Sequence, residues 1–535
     1  MKGRIMKRIL WIACGLLIVY TISFSQTPDE PPGYSCVLDS TKSSYAYGDS
    51  LLKIGVIYIQ FADWQTNHRA RGSYKGIDDN NDSLYYLYSD YENQLFISGI
   101  YKTQYPLSSG SEPRSPDNRA IFGSAKDYWE EISYGNFSFH PESGIVNDSV
   151  IINGKKRIEW LTAPNTRTEY IQYYSAFHSL CDNAINQSIL KGWITDELDY
   201  DVYAIIYAGD RNGDGYGLWP RKSGNKFITE ERRFDNNDND MRLAGIYTFC
   251  HEFGHLLNLG DIRGGYTDAD GFGDYSLMAT FNSSEYNIAY ERPPHLSCYE
   301  KELLGWLDPY EIVDNEINLF IPNVEYNSFA IKYYIPGSNN EYFIIENRQP
   351  IGFDFTYQDF DTQKGGGLLV YHKAPNKFNN GEFIMILEAD GSTDLVDSAY
   401  GNSGDLGDFF PGTSDVRNLT DLTTPNTSKQ NGNPSRFAML NVSDSDSIMY
   451  ADIYTYAWAG IITSNTTWTQ DVYIYDDLTI DYNIIINIQG DVIISDSAKL
   501  TINSGAQLHF STGKQLTVHG SLLAEGTEED SILFT

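Results

Sequence analysis

The sequence predicts a multidomain chain: an α/β domain, then an antiparallel β-sandwich, then a β-helix or solenoid of C-terminal repeats. Three observations predict it. Buried-strand and helix patterns alternate up to about residue 310. Short alternating runs separated by Gly, Asn, Pro and Asp fill residues 311–456. From residue 457 onward apolar pairs recur at a short, nearly constant step. The length of 535 residues accommodates roughly three or four domains. A 41% hydrophobic content is enough for sizeable cores, and 41 Tyr and 45 Gly beside only 7 Met favour β-rich, exported architecture.

The first residues read as a signal peptide, residues 1–25. Lys2, Arg4, Lys7 and Arg8 form a basic start, and an apolar run extends from Ile9 to about Ile22. Ser23 and Ser25 supply the small residues of a cleavage site before Gln26. Cys14 lies inside the apolar run, which argues against a lipoprotein anchor. Residues 26–50 are expected to be an N-terminal lead or short pro-segment. No later segment is long and apolar enough to span a bilayer, so a secreted or cell-surface protein with no stable membrane span is expected. The remaining cysteines, Cys36, Cys181, Cys250 and Cys298, allow three disulfide pairings.

The α/β domain is expected over residues 51–310. Leu51–Phe61 is short, apolar and β-branched, as a buried strand requires. Phe122–Asn136 reads as a helix ending at Gly135, with aromatic residues on its inner face. Asp201–Tyr207 is a second buried strand, and Arg242–Leu259 a second helix. The sandwich, residues 311–456, rests on runs such as SFAIKYYI, EYFIIENR and GGLLVYHK. In residues 457–535 the pairs are Leu478/Ile480, Ile486/Ile488, Val492/Ile494, Leu500/Ile502, Leu508/Phe510 and Leu516/Val518. The chain stops at the strand-like SILFT with no cap, so the natural protein is expected to continue past Thr535.

A net charge of −34, from 72 acidic and 38 basic residues, excludes a nucleic-acid partner, because phosphate binding needs clustered Lys and Arg. Acidic loops are candidates for calcium or simply for solubility. Asp210, Asn212, Asp214 and Gly215 match the first half of an EF-hand loop, but its twelfth position is Arg221. Asp268 with Asp270, and Asp405 with Asp408, are further candidates.

Chemistry concentrates in HEFGHLLNLGD, residues 251–261. On a helix, His251 and His255 lie one turn apart on one face, and Glu252 sits beside them. Two such histidines can bind one zinc ion, with the glutamate as general base for peptide hydrolysis. The helix must then stop so that the chain can turn and supply a third ligand. Asn258 tolerates the positive φ of that turn, and Asp261 follows in position to bind. Asp268, Asp270 or Asp274, or a later Glu285 or Glu291, are the alternative ligands. Met278, in DYSLM, is placed as the methionine of a turn beneath the metal. Tyr286, Tyr290 and His295 are candidate transition-state stabilisers.

These features resemble the immune inhibitor A family of secreted bacterial metallopeptidases, which are metzincin-like zincins. That family typically carries HEFGH followed by LGLPD, against HEFGHLLNLGD here. GSAKDYWEEISYGNFSF, YAIIYAGD with LWPR, GDYSLMAT, RPPHLSCYEKELLGWLDP, EYFIIENRQPIGFD, GGGLLVYHK and GDLGDFFPG are also similar. The resemblance covers roughly residues 50–456. Asn258 stands where the family has Gly, and Gly260 where it has Pro. It implies a zincin-like catalytic domain with a catalytic zinc on His251, His255 and Asp261, Glu252 as catalytic base, and protein or peptide substrates. Structural calcium is a further expectation. The C-terminal repeats would then serve as spacer, cell-surface or glycan contact. An adhesin or binding protein that keeps this scaffold without turnover is the alternative; the intact Glu252 counts against it. A carbohydrate-active β-helix ranks below both, because no paired carboxylates lie on adjacent repeats.

Overall fold

The strand Ile54–Gln60 (IGVIYIQ) has buried side chains at every position but the last. It pairs in parallel with Val202–Tyr207 on one side and with Gly144–Ile145 and Leu161–Thr162 on the other. Val202–Tyr207 then pairs in parallel with Lys226–Glu230, and Arg221–Ser223 closes that edge antiparallel. Successive side chains of a strand point to opposite faces. Ile54, Val56, Tyr58, Ala204, Ile206 and Phe227 therefore join one core, and Ile57, Ile59, Tyr203, Ile205 and Ile228 another. Both faces are covered, which is why these strands read as continuous apolar runs.

The structure is a computed structural model and describes residues 51–63, 86–99, 123–152, 154–172, 176–209, 218–235, 240–262, 272–279, 293–338, 340–357, 366–374, 383–393, 395 and 404–535. The described part is mostly strands with few helices. No helix among these residues is long and apolar enough to cross a membrane. The signal-peptide and lead expectations, with Cys14 and Cys36, lie outside the described residues. Cys181, Cys250 and Cys298 are buried free thiols.

Two helices pack on the first face. Ala125–Ile132 is started by a capping box: Ser124 Oγ accepts from Asp127 N–H, and the Asp127 carboxylate accepts from Ser124 N–H, both at 3.0 Å. Its Trp129 ring lies 5.2 Å from that of Phe253, on the second helix. That second helix is Ile246–Leu256, shorter than the expected 242–259. Asp240–Leu243 is instead a strand, antiparallel to Arg232–Asp235. The Leu243 and Ala244 N–H groups donate to Tyr86 Oη and the Glu231 carbonyl, and the helix begins only after Gly245. The opposite face carries a helix that the sequence expectations omit, Ala176–Lys191. Its buried Phe177, Leu180, Cys181, Ala184, Ile185 and Ser188 follow the 3–4 spacing of an amphipathic helix.

Beyond residue 310 come a five-stranded sheet and a three-stranded one. The first runs Tyr310–Glu311, Ile331–Tyr334, Tyr342–Arg348, Gly367–Ala374, Phe383–Ile386, antiparallel except for its first pair. The second runs Glu316–Pro322, Ile448–Tyr454, Ala438–Leu440. Phe343, Ile345, Leu368 and Val370 meet Ile321, Met439, Met449 and Ile453 in a core between the two sheets. The alternate residues Tyr342, Ile344, Leu369 and Tyr371 point the other way, into a core with Phe272, Tyr275, Cys298 and Leu307. The central sheet is thus shared between the sandwich and the preceding region.

Residues 457–535 form a β-solenoid. Its strands pair in parallel with the equivalent strand of the next coil: Leu478 with Leu500, Leu500 with Leu522, Ile486 with Leu508 and Val492 with Leu516. The steps of eight, six and eight residues are successive strands around one coil, so a coil contains three of them. Apolar residues stack in register inside, among them the fully buried Ile486, Ile488, Ile494 and Leu500. Tyr473, on the first coil, stacks at 3.8 Å and 4° on Tyr454 of the sandwich.

Leu500 lies between Leu478 and Leu522 in this stack. Leu500→Ala is expected to destabilise the solenoid by about 2–5 kcal/mol, as core truncations to alanine do. Chemical denaturation read by solenoid tryptophan fluorescence checks this; a cost near zero would contradict the stacking.

Candidate metal centre

The helix Ile246–Leu256 buries Phe249, Cys250, Phe253 and Leu256 and turns His251 and His255 to the other side, half-buried. Its end is set by backbone geometry. Asn258 adopts φ +66°, its N–H donates to the His255 carbonyl at 3.1 Å, and Leu259 N–H donates to the Gly254 carbonyl at 3.2 Å. This pair of bonds is a Schellman motif with Asn in the left-handed position. It reverses the chain so that Asp261 comes back beneath the histidines.

His251, His255 and Asp261 each offer one ligand atom within 4.8 Å of the others, the only such group among the described residues. Asp261 Oδ1 lies 3.3 Å from His251 Nε2 and 3.4 Å from His255 Nε2. A carboxylate–imidazolium hydrogen bond would close to about 2.7–2.9 Å. A tetrahedral ion with bonds of about 2.0–2.1 Å instead sets its ligands about 3.3–3.4 Å apart. The spacing fits the second case.

Each ring is aimed by its other nitrogen. His251 Nδ1 is 2.9 Å from the Leu277 carbonyl, and His255 Nδ1 is 2.9 Å from the Leu259 carbonyl. A carbonyl only accepts, so each Nδ1 carries the proton and each Nε2 keeps its lone pair for a metal. A tetrahedral ion held by these three would keep a fourth position open.

The electrostatics are uneven. Burial raises the Asp261 carboxyl, but the two imidazoles outweigh it and hold the group far below the usual carboxylate range. Burial lowers His255, and Asp261 with the Leu259 carbonyl reverse this to a net rise. Glu252 is 5% exposed, and its Oε2 has no hydrogen-bond partner. Burial pushes its carboxyl up to about 7, against the opposing pull of His251 and His255.

Met278 lies under the helix, fully buried. A Cβ on Gly254 would stand 2.5 Å from its sulfur, so only glycine allows the turn to come this close. Ile262 N–H donates to the Met278 carbonyl, and Tyr247 Oη donates to the Leu277 carbonyl at 3.1 Å. Ser276 Oγ donates to the buried Glu300 at 2.5 Å. Sequence reasoning did not anticipate Glu300. The signal was available, because Ser297-x-x-Glu300 is a capping box that starts the helix Cys298–Leu303.

His295 is not a stabiliser at this site. It is fully buried, with Nε2 3.0 Å from Glu131 and Nδ1 3.1 Å from Lys301 Nζ. It belongs to a buried ionic network that sequence patterns do not reveal. Arg348 binds Asp354 at 2.7 and 2.9 Å and Glu346 at 2.9 Å, and its Nη2 donates to the His295 carbonyl at 3.1 Å. Asp268, Asp270, Tyr286, Glu285, Tyr290, Glu291 and the loop of Asp210, Asn212, Asp214 and Gly215 lie outside the described residues. Asp274 is the middle residue of the 3-10 turn Gly273–Tyr275. Arg221 opens the antiparallel edge strand. Asp405 and Asp408 lie together in a loop against Tyr275. Burial pushes the Asp408 carboxyl up to about 8.

No protein-family model and no curated protein matches this chain. The functional reading therefore rests on the site's own geometry.

Asn258→Gly is expected to be neutral or stabilising by up to about 1 kcal/mol, because glycine adopts positive φ without strain. Asn258→Val is expected to cost about 1–2 kcal/mol and to loosen the path to Asp261. Thermal melts of both variants check the pair; equal melting temperatures would refute the role of the left-handed turn.

Proposed function

We propose that this chain is a secreted zinc-dependent endopeptidase that hydrolyses peptide bonds of extracellular proteins. Residues 51–310 are read as a zincin-like catalytic domain of the immune inhibitor A type, and the solenoid as a spacer or surface-contact element. One observation carries the reading. Two imidazoles, each with Nδ1 on a backbone carbonyl, meet one carboxylate whose Oδ1 lies 3.3 and 3.4 Å from their Nε2 atoms, a spacing that fits ligands of a tetrahedral ion. A donor set of two nitrogens and one oxygen suits zinc.

His251, His255 and Asp261 would hold the metal. Bound zinc supplies Lewis acidity, acidifying water and polarising a carbonyl. Glu252 takes a proton from the attacking water at its carboxylate and passes it to the departing amine. Its burial, with no hydrogen-bond donor on Oε2, favours uptake of a proton by the carboxylate. Asp261, held ionised, supplies the one negative ligand.

Glu252→Gln is expected to retain a full equivalent of zinc by elemental analysis and to lose about 10²–10⁴-fold in casein hydrolysis. Zinc-loaded wild type that cleaves neither casein nor gelatin, or a fully active Glu252→Gln, would defeat the proposal. Asp261→Ala is expected to weaken zinc binding in a chelator competition by at least about tenfold while leaving the far-ultraviolet spectrum unchanged. Undiminished affinity would remove Asp261 from the ligand set.

A further inference from the structure

The turn Ser276–Met278 is held by a carboxylate from a later helix. Glu300, 1% exposed, lies in the first turn of Cys298–Leu303. Three donors converge on its Oε2: Ser276 Oγ at 2.5 Å, Ser297 Oγ at 2.7 Å and Ser297 N–H at 2.8 Å. The direction of each hydroxyl follows from what it accepts. Glu300 N–H donates to Ser297 Oγ at 3.3 Å, and Met278 N–H donates to Ser276 Oγ at 3.2 Å. Each serine has one hydroxyl proton, and both protons point to Glu300. Burial raises the Glu300 carboxyl, and the serine donors pull it the other way.

These bonds do two different things. Those with Ser297 form a local capping box that starts the helix. The bond with Ser276 reaches 24 residues back along the chain, into the turn. An N-cap serine alone suffices to start a helix, so that longer reach is a second role of the same acid. The support behind Glu300 is firm. Cys298 N–H donates to Glu346 at 2.9 Å, and Cys298 and Tyr299 are buried in the core shared with the five-stranded sheet. On the turn side, Ser276 Oγ bridges to Met278 N–H and so spans Leu277. Holding that hydroxyl sets the orientation of the peptide groups between residues 276 and 278. The Leu277 carbonyl among them meets His251 Nδ1 at 2.9 Å.

We propose that Glu300 is a positioning residue for the candidate metal centre, acting through Ser276 to aim the Leu277 carbonyl at His251. The proposal rests on the reading of His251 as a metal ligand, and it concerns the tautomer of that ring. A carbonyl held on Nδ1 keeps the proton there and leaves Nε2 with its lone pair. A carbonyl released from Nδ1 lets the proton divide between the two nitrogens.

The test uses the full chain, isotope-labelled at the histidine nitrogens. In the metal-free protein, at a pH where the rings are neutral, the nitrogen shifts report which atom of His251 carries the proton. The signal is assigned by its loss in His251→Gln. A chelator competition reports zinc affinity. Ser276→Ala removes the long-range bond and leaves the Ser297–Glu300 capping box intact. It is expected to weaken zinc binding by at least about tenfold and to turn the single Nδ1-protonated form of His251 into a mixture of tautomers. Ser297→Ala breaks the cap and keeps the bond from Ser276. It is expected to lower the melting temperature with zinc affinity and tautomer unchanged. Glu300→Ala is expected to match the zinc loss of Ser276→Ala, and the double variant to lose no more than either. Unchanged affinity and tautomer in Ser276→Ala overturn the proposal. So does an equal loss of affinity in Ser297→Ala, which would make destabilisation the cause, and so do additive losses in the double variant. A wild type that binds no zinc defeats the zinc reading, and the His251 tautomer in Ser276→Ala then decides this proposal in the same sense.

Discussion

The bond between His251 Nδ1 and the Leu277 carbonyl holds the arrangement together. It joins the histidine-bearing helix to the turn beneath it, places the proton on Nδ1, and so leaves Nε2 available as a ligand. The Leu277 carbonyl is itself held from other directions. Tyr247 Oη donates to it, and Leu277 N–H donates to the His295 carbonyl at 3.4 Å. That carbonyl also receives Arg348 Nη2. The orientation of one imidazole is thus traceable, bond by bond, to a guanidinium on a strand of the five-stranded sheet.

That dependence accounts for an otherwise unfavourable feature. Arg348, Glu346, Asp354, Glu131, His295, Lys301 and Glu325 are all buried, and desolvating so many charges is expensive. An apolar core of equal volume would often be more stable. It would not hold a backbone carbonyl at a set place, because apolar packing has no direction, whereas a forked guanidinium does. The network sits where the helical region meets the sheet, at a core containing residues of both. Stability is traded there for placement. The sandwich is accordingly a structural support of the candidate metal centre, although it supplies none of its three side chains.

Much of this was legible in the residues, and the parts that were not have identifiable causes. The helix carrying His251 and His255, the left-handed Asn258 and the approach of Asp261 all follow from local rules of spacing and backbone freedom. The solenoid rhythm was legible too, but its step of about eight residues is one strand, and the coil that pairs with its neighbour is three strands long. Period alone does not say how many strands close a turn. The early start assigned to the site helix failed because Leu243 and Ala244 are claimed by Tyr86 and Glu231, which are far away or across a turn. His295 shows the same limit. A histidine just past a predicted Met-turn suits catalysis by position, yet its partners, Glu131, Lys301 and Asp354, come from three separate segments. Long-range ionic partners leave no periodic trace. The helix Ala176–Lys191 is the opposite case, since its 3–4 apolar spacing was present in the sequence.

Glu252 shows how one residue meets two demands. Its neighbours Cys250, Phe253 and Leu256 are core residues, and the same helix turn that buries them places Glu252 between core and histidines. A carboxylate there loses water on one side and gains imidazoles on the other, and the two effects oppose each other. A fully exposed glutamate would be too weak a base, and one tied to an arginine weaker still. The placement that makes it useful follows from the sequence spacing itself. With a solvent-side histidine at residues 251 and 255, the position between them is neither wholly core nor wholly surface. The geometry of the helix, rather than any added partner, sets the surroundings of the Glu252 carboxyl.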